Sequence, residues 1–273
     1  METERKRKIA IITGASSGLG REYVRCLDRR NAEYHDGHAA EPLYDEFWVI
    51  ARRQERLEAL QDEVRTPLVI LPLDLTARDT VDTLSSLLQK QQPDVRMLIS
   101  AAGFGKIGSC EEIPLQEADR MIDLNCRAAV DVTQVCIPFM SSGSHIMEIC
   151  STAAFQPLQY LNVYAASKAF LYRYSRALCA ELWSRRILVT AVCPYWIGNT
   201  GFIPCAKSTS GADRIHSFPF SGRAEEVAER SLSDTMLGLS VSTPGIFCSI
   251  HRVLARLLPA ELAMAGWELV RRL

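Results

Sequence analysis

The sequence predicts one α/β domain on a doubly wound parallel sheet, with helices on both faces and an extra helical tail at the C-terminal end. Three observations predict it. Short β-branched runs alternate with helix-length stretches over most of the 273 residues, the rhythm of parallel βαβ units. The first such run ends in a glycine-rich turn that opens a helix, a ready site for an anionic group. The chain carries no internal repeat and no low-complexity segment.

Taken in order, the first strand spans 8–12 and leads into Thr13-Gly14-Ala15-Ser16-Ser17-Gly18-Leu19-Gly20, with a helix to about residue 30. Further strands are expected at 46–51, 67–73, 95–100, 145–150 and 187–193. The helices between them are expected at 53–64, 79–91, 115–139 and 164–185. Helices of ten or more residues between strands require parallel crossovers, hence a Rossmann-like sheet. Two stretches break the rhythm: 31–45 reads as a polar insertion, and 198–222, rich in Gly, Ser, Pro and Phe, as a loop with a short helix. In an open α/β sheet ligands sit at the carboxyl ends of the strands, so the second loop is placed to cover a site.

Composition narrows the function classes. A formal net charge of -1 gives no global basic field, so no nucleic-acid partner is expected. The basic run Arg5-Lys6-Arg7-Lys8 reads as a solvated tail. Nine scattered cysteines without a Cys-x-x-Cys pair suggest reduced thiols and a cytoplasmic location. The five histidines show no ligand spacing, and no metal is expected. No apolar run reaches membrane-spanning length.

The turn Gly14-x3-Gly18-x-Gly20 lies where a dinucleotide pyrophosphate would meet a helix N-terminus, with Ser16, Ser17 and Leu19 beside it. The second strand ends in Ala51-Arg52-Arg53, without the acid that would bind the ribose hydroxyls of NAD. A guanidinium there suits the 2′-phosphate of NADP, with Arg53 and Ser16 as second contributors. Asp74, followed by Leu75, either accepts from an adenine amino group or caps the next helix, for which Asp79 is better spaced.

Ser151 opens the loop after the fifth strand, and Tyr164 and Lys168 share one face near the start of the next helix. Oxidation of an alcohol needs a base for the hydroxyl proton, and a tyrosine of ordinary pKa is a poor one. A neighbouring ammonium is expected to lower that pKa, and Ser151 to hydrogen-bond the substrate oxygen. In the reducing direction Tyr164 becomes the proton donor.

With Thr13-Gly14-x3-Gly18-x-Gly20, Asp74, Ala101-Ala102-Gly103, Asn125, Ser151 and Tyr164-x3-Lys168 in this order, the chain resembles the short-chain dehydrogenase/reductase family over residues 8–200. The resemblance implies an NADP(H)-dependent oxidoreductase of the single-domain branch acting on a secondary alcohol or ketone. It implies that Asn125 holds a water linking Lys168 to solvent, that Lys168 also bonds the nicotinamide ribose, and that Ala101, Ala102 and Gly103 line the adenosine side. It further implies association into a homodimer or homotetramer. The chain departs from the family pattern at Pro194-Tyr195-Trp196-Ile197, where Pro-Gly is usual, and at Asn199, where threonine is usual. Thr200, with Ile197 and Pro194, is taken as the nicotinamide-side contact.

Phe104, Phe155, Leu158, Tyr160, Phe202 and Phe218 are the expected pocket liners. That apolar set favours a lipophilic ketone or alcohol: a steroid, a bile-acid-like ring system or an acyl chain. The tail, 245–273, reads as two basic amphipathic helices divided at Pro259. They are expected to pack over the site or at a subunit interface, with a membrane surface as the rival. Two other functions stay open: a catalytically silent NADP-binding sensor or scaffold, and an enoyl-type reductase.

Overall fold

The computed structural model describes residues 5–37 and 41–272. Seven parallel strands form one sheet in the order β3-β2-β1-β4-β5-β6-β7. They are β1 (Lys8–Thr13), β2 (Glu46–Ile50), β3 (Leu68–Leu71), β4 (Asp94–Ser100), β5 (His145–Ile149), β6 (Leu188–Val192) and β7 (Val241–Ser242). The inner strands are covered on both faces, which is why they read as continuous apolar runs; Ile9, Ile11 and Ile12 are wholly buried. On one face, α1 (Gly18–His35), α2 (Gln54–Gln61) and α8 (Ala224–Met236) pack through Tyr23, Leu27, Leu57, Leu60 and Leu232. On the other, α3 (Asp79–Gln91), α5 (Ala129–Cys136) and α6 (Asn162–Glu181) pack through Leu84, Leu88, Val132 and Leu178.

Strand order reverses between β1 and β4, so the loops after these two strands separate and leave a crevice at their carboxyl ends. The loops are tied at their bases. Gly14 N donates to Ile50 O at 2.8 Å, and Ala102 N to Thr13 Oγ1 at 3.0 Å.

The six expected strands are all present; β2, β3, β5 and β6 are one to three residues shorter than the apolar runs suggest, and β1 and β4 one residue longer. The helix expected at 115–139 is one continuous rod: α4 (Leu115–Ile122), a π-helical turn at Asp123–Ala128, α5, and a final 3-10 turn at Ile137–Phe139. Three expectations need correction. Asn31 belongs to α1 rather than to a loop. Its buried amide donates to Tyr44 O (2.8 Å) and Thr66 Oγ1 (3.1 Å) and accepts from Leu43 N (2.9 Å), fastening the connection to the helix. His38, Ala39 and Ala40 of that insertion, like Leu273 at the tail's end, lie outside the described residues. Asp79 does not cap α3; it is the helix's first residue, and the preceding Arg78 makes no side-chain cap bond. Finally, 223–244 carries two elements that sequence pattern did not suggest, α8 and β7. β7 is only two residues long and is held by pairing with Ala191 and Val192, too short for any periodicity to register.

The loop 198–222 holds α7 (Phe202–Ala206) and is closed at its neck by a bridge between Ile197 and Gly222. The tail folds as α9 (Ile246–Leu257) and α10 (Ala260–Val270), with Pro259 immediately before α10, where a missing N–H costs nothing.

Candidate active site

One cleft of about 740 Å³ runs across the carboxyl ends of the strands, within the range of sites that enclose a small ligand. Most of the glycine turn opens onto it: Gly14, Ser16, Ser17, Gly18, Leu19 and Gly20. Gly14 adopts φ +69°, and a Cβ there would stand 2.9 Å from Ala102 N. A Cβ on Gly20 would come within 2.4 Å of Gly14 O. The turn therefore lies flat against the strand ends only because these residues lack side chains.

Beside the turn, Arg52, Arg53 and Arg56 line the same cleft. Arg53 donates to Ser16 Oγ at 3.0 Å and Ser17 Oγ at 2.9 Å. Burial, then the like charges of Arg56 and Arg52, push its pKa down. Among the described residues none of the three is ion-paired. Three neighbouring guanidiniums, none bonded to a carboxylate, fit an anion of more than one charge. Asp74 lines the cleft too, its Oδ1 accepting from Thr76 N (3.0 Å) and Thr76 Oγ1 (2.7 Å), with Leu75 alongside. Ala101, Ala102 and Gly103 form the floor. Opposite them, Pro194, Ile197 and Thr200 face the cleft. Thr200 lies over Gly18, where an added Cβ would be 3.5 Å from its own. Asn199, by contrast, turns away: its amide donates to Glu225 and its Oδ1 accepts from Ala224 N at 2.8 Å.

Ser151, Tyr164 and Lys168 meet in the middle of this cleft. Ser151 Oγ accepts from Ala153 N at 3.1 Å, which leaves its own proton free to donate. Tyr164 is held from behind by Phe202, whose ring centroid is 5.4 Å away. Gly105 is needed at this contact, since a Cβ there would lie 2.9 Å from Tyr164 Cδ2. Lys168 Nζ donates to Ile149 O at 2.7 Å and sits 5.9 Å from the Tyr164 ring centroid. The expected lowering of the tyrosine pKa is corrected here. Burial pushes the Tyr164 hydroxyl up to about 12, only partly offset by Ser151. Burial likewise lowers the pKa of Lys168. Desolvation is the largest influence on both groups, and it disfavours the charged form of each.

Asn125 does not line the cleft. It occupies the π turn, where the widened helix carries its side chain toward the loop after β4. Oδ1 accepts from Phe104 N (3.1 Å), while Nδ2 donates to Phe104 O (2.9 Å) and Ser167 Oγ (3.0 Å). Both amide protons are spent on protein partners. Gly103 passes between this amide and Lys168: an added Cβ would be 2.9 Å from Asn125 Oδ1 and 3.3 Å from Lys168 Nζ.

Of the expected pocket liners, Phe104, Leu158 and Phe202 face the cleft. Phe155 packs edge-on against Tyr172 and His251, Phe218 against Trp196 at 4.6 Å, and Tyr160 between Arg214 and Arg271. Their places are taken by Trp196, of the aromatic pair that follows Pro194, and by residues that the sequence pattern did not single out as liners: Ile250, His251, Leu254, Leu262 and Trp267. Most belong to the tail, which closes the far end of the cleft. Trp267 Nε1 donates to Gln159 O at 3.1 Å, and His251 Nε2 is paired with Gln156 Oε1 at 3.0 Å.

A parallel sheet with a phosphate-type turn after β1, a serine after β5 and a Tyr-x3-Lys pair on the following helix defines a nucleotide-dependent oxidoreductase. The short chain dehydrogenase family model matches residues 8–205, and the chain belongs to that family. It is 32% identical over 199 residues to the NADP-dependent 3-hydroxy acid dehydrogenase YdfG of Salmonella typhi, covering 71% of this chain and 74% of that protein. Among solved structures it resembles a short-chain dehydrogenase from Sphingobium yanoikuyae in complex with NADPH (TM-score 0.73, 24% identity, 92% of this chain and 96% of that one). It also resembles a short-chain dehydrogenase from Streptomyces avermitilis (TM-score 0.76, 21% identity, 98% of each chain).

Proposed function

We propose that this protein uses NADP(H) to interconvert a secondary alcohol and a ketone on a lipophilic substrate. The observation that carries the reading is the junction, in one cleft, of Ser151, Tyr164 and Lys168 with a glycine turn and three unpaired arginines. The names of the Salmonella and Sphingobium relatives, one NADP-dependent and one holding NADPH, support the choice of nucleotide.

The residues fit that cofactor. The turn from Gly14 to Gly20 would take the pyrophosphate, Arg52 with Arg53 and Arg56 the 2′-phosphate, Asp74 and Leu75 the adenine side, and Lys168 the nicotinamide ribose. Ala101, Ala102 and Gly103 would lie beneath the adenosine, and Pro194, Ile197 and Thr200 beside the nicotinamide. When bound, the dinucleotide supplies or accepts the hydride. Tyr164 holds the proton. With its pKa raised, the hydroxyl is fully protonated at neutral pH and is set to donate to a carbonyl oxygen. Ser151, its Oγ already accepting from backbone, directs its hydrogen at the same oxygen and stabilises the charge that develops there. Asn125 acts by positioning: it fixes the backbone of Phe104 and the hydroxyl of Ser167, and through them the floor beneath Lys168.

The substrate end of the cleft supports the lipophilic reading. Leu158, Leu161, Trp196, Phe202, Ile250 and Leu254 line it, and the tail adds no lysine or arginine to it. His251, which the tail does bring to it, is kept toward the neutral form by burial. A 3-hydroxy acid, the substrate class in the Salmonella relative's name, would bring a carboxylate to a wall to which the tail adds no arginine or lysine.

Titration of NADPH and NADH against the wild type and Arg52→Ala tests the cofactor, and NADPH oxidation against cyclic and long-chain ketones tests the reaction. Loss of one charge-assisted contact, about 1.5–3 kcal/mol, should weaken NADPH by roughly ten- to a hundredfold and leave NADH unchanged. Tyr164→Phe should cut turnover by about a hundredfold or more while NADPH still binds. Failure of both nucleotides to bind, or full turnover in Tyr164→Phe, would overturn the reading.

A further inference from the structure

The tail buries only its inner side. Cys248, Ala263 and Trp267 are turned inward, whereas Ile246 is 80% exposed, Leu257 73% and Leu269 67%. Phe220, also exposed, stacks on Phe247 at 4.4 Å and widens the apolar surface. Contiguous apolar patches of this kind on a soluble domain mark a contact surface. Two further features identify what it contacts.

The first is charge. α9 contains no acidic residue; its polar positions include His251, Arg252 and Arg256. Neither arginine is ion-paired among the described residues. In α10, Glu268 is engaged by Arg271 and Arg272, leaving Glu261 as the remaining acid of the pair of helices. Bulky apolar side chains interleaved with unpaired arginines are the pattern of a helix lying in a lipid interface.

The second is continuity with the cleft. Phe247, Ile250, Leu254, Leu258 and Leu262 are exposed and also line the cleft. The patch is therefore the rim of the substrate entrance. A second copy of the chain seated on it would close that entrance. Around a two-fold axis it would also bring together two copies of a face that carries Arg252 and Arg256, with no acid of α9 to offset them.

We propose that α9 and α10 seat this protein on a bilayer carrying anionic lipids. The apolar rim dips into the acyl boundary, Arg252 and Arg256 meet headgroup phosphates, and a lipophilic substrate passes from lipid into the cleft without crossing water. No helix among the described residues is long and apolar enough to span a membrane, so the contact is peripheral. Vesicle binding is measured without turnover, and the proposal stands or falls separately from the catalytic reading.

The test is co-sedimentation of the full chain with vesicles of phosphatidylcholine alone and with one third phosphatidylglycerol, alongside light scattering of the protein in solution. The wild type should sediment with the anionic vesicles and much less with the neutral ones, and release partly at high salt. Val253→Glu with Leu257→Glu, both outside the cleft, should abolish sedimentation with melting temperature and NADPH affinity unchanged. Arg252→Gln and Arg256→Gln should each weaken binding to anionic vesicles about fivefold. A wild type that stays in the supernatant, or a double glutamate variant that binds like the wild type, overturns the proposal. A solution dimer that Leu257→Glu dissociates would overturn it too, assigning the face to a second copy.

Discussion

Glu148 sits wholly buried in β5, between the sheet and α5. Its Oε1 accepts from Thr133 Oγ1 at 2.7 Å, while Oε2 has no partner. Burial pushes its pKa from 4.5 up to about 7, against smaller opposing effects of Thr133, Ser100 and Lys168. The folded state thus holds a proton that the unfolded chain releases near pH 4.5. A carboxyl with a raised folded pKa contributes its full stability below the unfolded value and loses it as pH climbs through the folded one. The window is therefore about pH 4.5 to 7, with a slope of about 1.4 kcal/mol per pH unit and a total near 3 kcal/mol. Glu148→Gln keeps an acceptor for Thr133, offers a donor to Ser100 and does not ionise. Urea unfolding followed by tryptophan fluorescence at pH 5 and pH 8 checks this. At pH 5 the two proteins should be nearly equal; at pH 8 the glutamine variant should be the more stable by about 3 kcal/mol. Equal differences at the two pH values would refute the inference that Glu148 is neutral when folded.

Asn125→Ala strips partners from the half-buried backbone of Phe104 and the buried hydroxyl of Ser167, which should cost about 1–3 kcal/mol in all and lower kcat more than it raises KM for the nucleotide. Urea unfolding with steady-state kinetics measures both, and a variant of unchanged stability would refute the clamp. Trp267→Ala removes a buried ring and the bond to Gln159 O, with an expected loss of about 3–5 kcal/mol if the tail unfolds with the domain. Because the tail walls the substrate end, KM for a ketone should rise while NADPH affinity holds. A proportional loss of both would show that the tail does not belong to the substrate site alone.

How much of this was legible beforehand depended on the range of the interactions concerned. Six strands, the glycine turn, the arginines after β2 and the Ser151, Tyr164, Lys168 set could be read directly. Each rests on local periodicity or on chemistry written into a few adjacent residues. Thr200 rather than Asn199 at the cleft was legible as a preference, and the reason is visible only in three dimensions: Asn199 serves the start of α8.

What tertiary structure decided was everything that depends on which distant segments share an environment. Desolvation sets the pKa of Tyr164 against the direction that its i+4 lysine suggests, because burial is a property of the packed shell and not of the spacing. Gly105 looks like an ordinary loop glycine until the Tyr164 ring is seen pressed against it. β7 is too short to carry a period and exists because β6 offers it an edge. The tail's composition permitted packing, association or lipid contact. Only its fold over the cleft, with one face buried and the other left to solvent, separates the part that walls the substrate site from the part free to meet a partner.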